Sequence, residues 1–299
     1  MTALVEIRDL QVRFTGERTV YAINGVDLTL NEGETLGLLG ESGSGKSVTL
    51  RALLRLLPAK RTIISGEMRV AGQDVLALSG EALSRFRGRT ISMIFQEPAL
   101  ALDPVYTIGR QIAETVMRHE ACSRATADAR ALEMLDVVRI PSAKSRLAAY
   151  PHELSGGMRQ RAMIALALSC KPKVLLADEP TTALDATVQI QVLLLIRELQ
   201  REFDLGVIFV THDIGVAVEV SDRIGVMYAG KIVELAPVEQ MVDAPQHPYS
   251  RGLLASTVHD GMRGQRLEAI PGAPPDLALP PRTHDFPPQC SRTTPARVS

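Results

Sequence analysis

Residues 35–47 have the sequence TLGLLGESGSGKS, in which a short apolar strand runs directly into a glycine-rich loop. Leucines between Leu50 and Leu57 follow at helical spacing, and Pro58 stops the pattern. The order of strand, glycine loop and helix is typical of an α/β protein that binds a phosphate group. It predicts a helix that extends from the loop to Pro58.

The loop matches the pattern Gly-x-x-x-x-Gly-Lys-Ser, whose glycines let backbone N–H groups point inward around a phosphate at the start of a helix. Lys46 is expected to neutralise β- and γ-phosphate oxygens, and the Ser47 hydroxyl is expected to ligate Mg²⁺. A flexible turn that matches by chance is the alternative, which the flanking strand and helix disfavour. The nucleotide-binding candidates in the loop are Gly40, Glu41, Ser42, Gly43, Ser44, Gly45, Lys46 and Ser47.

A second apolar strand, residues 174–177, ends in the carboxylates Asp178 and Glu179. Asp178 would lie at the C-terminal edge of a sheet, where it can hold Mg²⁺ directly or through water. Glu179 would point differently and is the candidate general base for the water that attacks the γ-phosphate. Because acidic pairs at strand ends are commonly only solvated, this assignment depends on the phosphate loop.

The whole chain has 299 residues, about two structural units by length, and 45% of them are hydrophobic. Its formal net charge of −1 lacks the basic excess of a nucleic-acid-binding protein, so no nucleic-acid partner is expected. The longest apolar run, residues 162–168, is far shorter than the roughly 20 residues of a membrane span. The first residues show no secretory signal, which predicts a cytosolic chain.

The three cysteines, Cys122, Cys170 and Cys290, lie far apart in the sequence. Their number and spacing predict neither a disulfide framework nor a zinc site. Cys170 follows an apolar run and is expected to be a small buried residue.

The remaining patterns divide the chain into four segments. Residues 1–98 combine alternating strands, expected to be antiparallel, with the first part of the nucleotide-binding core. Residues 99–168 have helical spacing and form a helical subdomain, and residues 169–236 complete the core. Residues 237–299 form a C-terminal extension with a proline-rich tail. Short apolar runs at residues 91–95, 174–177, 207–210 and 224–227 predict a parallel sheet. A stripe of apolar residues at helical spacing in residues 187–202 predicts a helix.

Residues 154–157, Leu-Ser-Gly-Gly, begin another predicted helix, for which Ser155 is the expected N-cap. The two glycines leave the positive end of that helix uncovered, which indicates a second phosphate site. An ordinary cap after a loop explains these residues equally well when they are taken alone.

Six motifs in consistent order resemble the nucleotide-binding subunits of ATP-binding-cassette (ABC) transporters, over about residues 4–275. They are the phosphate loop 40–47, Gln96, the signature 154–157, the strand and carboxylates 174–179, the segment 183–185 and His212. The resemblance implies an α/β P-loop NTPase core of the RecA-like kind, with an antiparallel β subdomain and an inserted α-helical subdomain. It also implies ATP and Mg²⁺ as cofactors.

The resemblance further implies a head-to-tail homodimer or heterodimer of cassettes, with ATP between the phosphate loop of one subunit and the signature of the other. By this analogy Ser155, Gly156 and Gly157 contact the γ-phosphate across the interface, and Asp185 lines the opposed subunit. His212 would bond the γ-phosphate and the attacking water.

By the same analogy, Gln96 would reach Mg²⁺ and water and pass the state of the γ-phosphate to the helical segment. Phe14 is expected to stack on adenine, with Tyr21 as a rival, and the alternative is that Phe14 only fills the apolar face of its strand. The expected catalytic residues are Glu179, His212, Gln96 and Lys46. The expected metal ligands are Ser47, Gln96 and Asp178.

Residues 94–104, 247–254 and 269–272 look like the dipeptide and oligopeptide importer branch, which includes nickel importers. The branch implies a peripheral ATPase on the cytoplasmic face of the inner membrane, bound to two permeases and, through them, to an extracytoplasmic solute-binding protein. Nickel import stays the alternative within the branch. Some members hold a C-terminal iron–sulfur cluster, but Cys290 is the only cysteine in that region, so none is predicted.

Two functions of other classes fit less well. A soluble ABC ATPase that acts on DNA or ribosomes would carry long heptad insertions or two cassettes, whereas this chain has one cassette with a short helical insertion. A regulatory cassette without catalysis would have lost catalytic groups, yet Lys46, Asp178, Glu179 and His212 are all present.

Overall fold

The computed structural model describes residues 3–182, 184–256 and 276–279, apart from the side chains of residues 99 and 100. Its strands are β1 Val5–Phe14, β2 Val20–Leu30, β3 Thr35–Leu39, β4 Thr62–Val70, β5 Gln73–Asp74, β6 Ile91–Ile94, β7 Val174–Asp178, β8 Gly206–Thr211, β9 Arg223–Tyr228 and β10 Lys231–Pro237. Its helices are α1 Lys46–Leu53, α2 Gly80–Arg89, α3 Pro98–Ala101, α4 Ile108–His119, α5 Arg124–Val137, α6 Ala143–Arg146, α7 Gly156–Leu168, α8 Ala186–Glu202, α9 Ile214–Val220, α10 Val238–Asp243 and α11 Pro248–Ala255. Within these ranges no helix is long and apolar enough to cross a lipid bilayer.

Alternating apolar side chains build a small antiparallel sheet with the strand order β2-β1-β4-β5. Val12 of β1, for example, is fully buried and pairs with Ile23 of β2 on one side and Ile64 of β4 on the other. The antiparallel strands predicted for the first thirty residues are therefore confirmed. Strands β4 and β5 extend the sheet, although no pattern in the sequence predicted them.

A second sheet has the order β10-β9-β3-β8-β7-β6, and its strands from β9 to β6 are parallel. Every residue of β3, β7 and β8 is buried, which explains their continuous apolar sequences. The predicted parallel sheet is confirmed for these strands. β10 differs because Ala229 and Gly230, with φ angles of 52° and 76°, form a two-residue turn that returns the chain antiparallel to β9.

Helix α1 ends at Leu53, so the prediction from the leucine spacing of a longer helix, reaching Pro58, was wrong. Arg55 has a φ of 53°, and its N–H donates to the Ala52 carbonyl oxygen at 2.9 Å. The N–H of the next residue, Leu56, donates to the carbonyl oxygen of Arg51 at 2.9 Å. This pair of bonds is a Schellman motif, which ends a helix at a left-handed residue.

Between β6 and β7 the described elements are helical, as the apolar spacing predicted. Ile112 of α4, Leu135 of α5 and Ile164 of α7 belong to one apolar cluster, which continues to Leu175 and Phe209 of the parallel sheet. Helix α8 also forms where the stripe of apolar residues predicted it. The division of the chain at residues 98, 168 and 236 stays a prediction.

Of the cysteines, Cys170 is buried as predicted and Cys122 is partly buried, and both are free thiols. Burial raises the pKa of the Cys170 thiol. Cys290, most of the proline-rich tail and the prediction about an iron–sulfur cluster lie outside the described residues.

The chain after β10 folds back onto the parallel sheet. Met241 of α10 and Tyr249 and Leu253 of α11 join Leu39 and Ile224 of the sheet in a third apolar cluster. The described start of the C-terminal extension therefore packs directly against the strand that leads into the phosphate loop.

The carboxylate of Glu234 holds the turn before α11. Its Oε1 accepts a hydrogen bond from the Gln246 N–H at 2.7 Å, and its Oε2 accepts one from the His247 N–H at 2.9 Å. Burial acts to raise the pKa of Glu234, but the hydrogen bonds outweigh it, and the pKa is lowered. The stability that this carboxylate supplies is therefore present above its unfolded-state pKa and is lost as the pH falls through the folded-state pKa.

Replacing Glu234 with alanine is expected to lower the free energy of unfolding by about 1–3 kcal/mol, because two amide donors lose their acceptor. Urea unfolding at neutral pH measures the change. Glu202→Ala removes an exposed carboxylate at the end of α8 and should change the free energy of unfolding by less than about 0.5 kcal/mol. The difference in the free energy of unfolding between the variants should shrink as the pH falls below the ordinary pKa of a glutamate side chain, about 4.3. A difference that does not change with pH would contradict this role of Glu234.

Candidate active site

The glycine-rich loop lies between the end of β3 and the start of α1, as the sequence predicted. Gly40, Gly43 and Gly45 have φ angles of 154°, 84° and 109°, a region that residues with a Cβ rarely adopt. A Cβ at Gly45 would also lie 2.9 Å from the carbonyl oxygen of Ala22. The loop can therefore pass this close to β2 only with glycine at position 45.

Lys46 begins α1, and its ammonium group lies against the loop. Nζ donates to the carbonyl oxygens of Gly40 at 2.6 Å and Glu41 at 2.9 Å. Burial lowers the pKa of Lys46, while the carboxylates of Glu179 and Asp178 oppose that shift. A buried cation at the N-terminus of a helix suits an anionic ligand, because the backbone N–H groups there carry partial positive charge.

Ser47 and Asp178 join the start of α1 to the end of β7. The Ser47 hydroxyl donates to Asp178 Oδ1 at 2.7 Å. Asp178 is only 1% exposed, and burial raises its pKa, while the bond from Ser47 and the Arg51 guanidinium act to lower it. A hydroxyl beside a carboxylate offers oxygen ligands of the type that Mg²⁺ accepts together with phosphate oxygens, so these residues fit the predicted metal position.

One oxygen atom of Glu179 lies close to three side chains. Its Oε2 accepts hydrogen bonds from Gln96 Nε2 at 3.3 Å and from the Thr182 hydroxyl at 3.0 Å, and it lies 3.2 Å from His212 Nδ1. Glu179 has a φ of 46°, a left-handed conformation that is uncommon for a residue with a side chain. Three segments of the chain therefore meet at this carboxylate, whereas Asp178 makes its hydrogen bond with Ser47 instead.

These groups surround one cleft of about 590 Å³, within the range of small-molecule sites. The small antiparallel sheet contributes apolar side chains to it, and the edge of the parallel sheet contributes the polar groups described above. The residues around the cleft are Phe14, Val20, Ala22, Ser42, Gly43, Gly45, Lys46, Ser47, Val48, Gln96, Glu179, Thr182, His212 and Leu277. The cleft therefore joins an apolar side to a strongly polar one.

Phe14 lies in this cleft, where it pairs with Val20 of the neighbouring strand. The ring of its rival, Tyr21, is covered by the guanidinium of Arg13, 5.3 Å from the ring centroid. Tyr21 is not among the described residues that line the cleft. Of the two aromatic residues, Phe14 therefore has the position that fits the predicted stacking on adenine better than Tyr21.

The signature and the segment before α8 lie elsewhere. Ser155, Gly156, Gly157 and Asp185 are not among the described residues around the cleft. Ser155 Oγ accepts a hydrogen bond from the Met158 N–H at 3.4 Å, which confirms the predicted N-cap. Ser155, Gly156 and Asp185 are exposed, so the chain presents them outward.

Five residues of the cleft escaped the sequence analysis: Val20, Ala22, Val48, Thr182 and Leu277. Thr182 belongs to no motif considered there, and only its place three residues after Glu179 could have indicated it. Val20 and Ala22 could have been found, because they alternate along β2 opposite Phe14.

Tyr249 of α11 also contacts the phosphate loop, although no local pattern predicts it. Its hydroxyl accepts a hydrogen bond from the Glu41 N–H at 3.2 Å, and burial raises the pKa of Tyr249 to about 12. Glu41 and Ser44 line a smaller cavity beside Tyr249 and are not among the described residues of the main cleft. Their direct contact with nucleotide stays a prediction.

Two family models match the chain. The model described as "ABC transporter" matches residues 23–182, just over half of the 299 residues. The model described as "Oligopeptide/dipeptide transporter, C-terminal region" matches residues 233–296.

Similar proteins cover almost the whole chain. The oligopeptide transport ATP-binding protein OppD of Bacillus subtilis (strain 168) is 47% identical over 289 residues, 96% of this chain and 81% of that protein. The dipeptide transport ATP-binding protein DppD of the same strain is 45% identical over 292 residues, 97% of this chain and 87% of that protein. Among solved structures, the dimeric post-hydrolysis state of the ATP-binding cassette MJ0796 bound to ADP and Pi has a TM-score of 0.69 and 30% identity. That similarity covers 78% of this chain and 98% of the solved chain.

Proposed function

The chain belongs to the ABC transporter family, and we propose that it is the ATP-hydrolysing subunit that energises an importer of dipeptides or oligopeptides. The observation that carries the proposal is the Glu179 carboxylate, which contacts Gln96, Thr182 and His212 in a cleft that Lys46 also lines. The family match in the C-terminal region and the names of the relatives support the peptide class.

Each group has a defined task in hydrolysis. ATP occupies the cleft with its triphosphate along the phosphate loop, where Lys46 balances charge on the β- and γ-phosphate oxygens. Glu179 accepts a proton from a water molecule as that water attacks the γ-phosphorus, and the bond to the β-phosphate oxygen breaks. Gln96 and His212 hold the water and the γ-phosphate in line while charge spreads over the phosphate oxygens.

Ser47 and Asp178 are the residues that would hold Mg²⁺, with Gln96 as a further ligand candidate. When bound, the ion supplies positive charge to the β- and γ-phosphates. The 2.7 Å hydrogen bond between Ser47 and Asp178 supports this assignment, since it brings both oxygen ligands to one point.

The nucleotide site is completed by a second cassette, either another copy or a sibling chain. Exposure of Ser155 and Gly156, away from the cleft of their own chain, supports a role across a head-to-tail interface. The N-terminus of α7 then faces the γ-phosphate of the partner's nucleotide and stabilises its negative charge. Asp185 lines the same interface.

The dimer binds two permease subunits at the cytoplasmic face of the inner membrane, and the permeases receive solute from an extracytoplasmic binding protein. Closure around two ATP molecules switches the permeases between outward-facing and inward-facing states, and hydrolysis resets them. Gln96 couples ATP hydrolysis to the permeases, because its side chain donates a hydrogen bond to Glu179 and it immediately precedes the helical region.

Copurification from membranes tests this function. The chain should copurify with two permeases, and its ATPase activity in proteoliposomes should rise when a peptide-loaded binding protein is added. A Lys46→Ala complex, assembled identically, should show no such rise. Stimulation by nickel-loaded receptor instead of peptide, or by nucleic acid without permeases, would overturn the peptide assignment.

Phe14→Ala is expected to weaken ATP binding by about tenfold, since stacking of a base on an aromatic ring contributes on the order of 1–3 kcal/mol. Binding of inorganic tripolyphosphate, which has no base, should not change. Tyr21→Ala is the matched control and should leave both affinities unchanged; calorimetric titration measures them. If Tyr21→Ala lost ATP affinity and Phe14→Ala did not, the stacking residue would be Tyr21.

A further inference from the structure

A short C-terminal segment, residues 276–279, lies beside the cleft although it is more than 200 residues away from the phosphate loop in sequence. Leu277 lines the cleft together with Phe14, Val20 and Ala22. We propose that Leu277 is part of the nucleotide site and closes its base-and-ribose side, so that the C-terminal region sets ATP affinity. The inference rests on the proposed binding of ATP in this cleft.

The backbone of this segment is attached to the edge of the small sheet. β2 is the outer strand of that sheet, and the Tyr21 N–H donates to the Leu277 carbonyl oxygen at 2.8 Å. Tyr21 lies between Val20 and Ala22, both of which line the cleft. Leu277 is therefore fixed at the side of the cleft where Phe14 lies.

A turn fixes the rest of the segment. Asp276 Oδ1 accepts a hydrogen bond from the Ala278 N–H at 2.9 Å, and the Asp276 carbonyl oxygen accepts one from the Leu279 N–H at 3.0 Å. Leu277 is half-buried, whereas Leu279 is 60% exposed. Two leucines of one turn therefore differ in burial, and of the two only Leu277 lines the cleft.

The polarity of the cleft matches that of a nucleoside triphosphate. Lys46, Glu179 and His212 line its polar part, where a triphosphate is expected. Leu277 adds an apolar side chain to the part formed by Phe14 and its strand neighbours, where a base and ribose would lose contact with water. An apolar contact of this kind contributes affinity for the nucleoside and none for free phosphates.

A pair of leucine variants of the full chain tests this inference. Leu277→Ala should weaken ATP binding about fivefold, because part of an apolar contact is lost. Tripolyphosphate affinity should stay unchanged, since that ligand has no base or ribose. Leu279→Ala, in the same turn but outside the cleft, should alter neither affinity, and Leu277→Met should retain most of the ATP affinity.

Other results would overturn the inference. Unchanged or tighter ATP binding by Leu277→Ala would show that the Leu277 side chain does not contribute to the nucleotide site. An equal loss of tripolyphosphate affinity would show that the substitution acts on the phosphate loop instead. The backbone bond to Tyr21 does not depend on the side chain, so the segment should stay in place, and equal thermal midpoints of the unliganded variants check this. If the wild-type chain bound no ATP, the proposed function would be wrong. If the wild-type chain and the Leu277→Ala variant bound ATP equally well, only the role of Leu277 would be wrong.

Discussion

The Glu179→Gln chain is expected to bind ATP with nearly wild-type affinity and to hydrolyse it at least about 100-fold more slowly. Glutamine has the size of glutamate and keeps an oxygen that can accept the bond from Thr182. It cannot accept a proton from the attacking water, so the chemical step is lost while the binding groups survive. Phosphate release under single-turnover conditions measures the effect.

The same variant should accumulate as an ATP-bound dimer, because hydrolysis is the step that lets the two cassettes separate. Light scattering after size-exclusion chromatography with and without ATP measures this. Glu239→Gln, which alters an exposed carboxylate on α10, should hydrolyse ATP normally and show no trapped dimer. Normal turnover by Glu179→Gln would refute the role of Glu179 as general base.

Apart from Thr182, the polar half of the site could be predicted from sequence because its residues lie at the ends of strands of the same parallel sheet. Lys46 follows β3, Asp178 ends β7 and His212 follows β8, and the carboxyl ends of parallel strands meet at one edge. A short-range signal was also sufficient for the N-cap of α7, Ser155, whose hydroxyl accepts the hydrogen bond from Met158. In both cases a local pattern fixes the geometry.

Two further contacts of the site are long-range, and the sequence has no local signal for them. The bond from Glu41 to Tyr249 joins residues 208 positions apart, and the bond from Tyr21 to Leu277 spans a still longer stretch. The early end of α1 also depends in part on residues distant in sequence, because the Arg55 guanidinium donates to the carbonyl oxygens of Val75 and Leu76, outside the helix. Helical periodicity in one segment carries no information about such partners.

These long-range contacts attach the C-terminal region to the phosphate loop and to the edge of the small sheet beside the cleft. Tyr249 fixes the backbone of the phosphate loop at Glu41, and we propose that Leu277 closes the apolar side of the cleft. In this proposal the C-terminal region acts on ATP binding through two contacts, Tyr249 at the phosphate loop and Leu277 at the cleft.

Ser155→Arg is expected to reduce hydrolysis by at least about 100-fold while the isolated monomer still binds ATP. The arginine side chain would project from the exposed start of α7 into the space that the partner's γ-phosphate needs, whereas the cleft of the same chain lies elsewhere. Ser123→Arg is a matched control, because Ser123 is also an exposed serine N-cap, on α5. Each variant loses a cap worth about 1 kcal/mol, but only Ser155→Arg should lose turnover.

Mixing two inactive variants distinguishes a site formed between chains from a site formed within one. In a chain that pairs with itself, a mixed dimer of Lys46→Ala and Ser155→Arg has one site with both defects and one site with none. Equal mixing should therefore restore about a quarter of the wild-type rate, since half of the dimers are mixed and each has one intact site of two. A site built within one chain would stay inactive in every mixture, because each chain carries one defect. Absence of recovery in mixtures that demonstrably contain mixed dimers would remove the assignment of Ser155 to the partner's nucleotide.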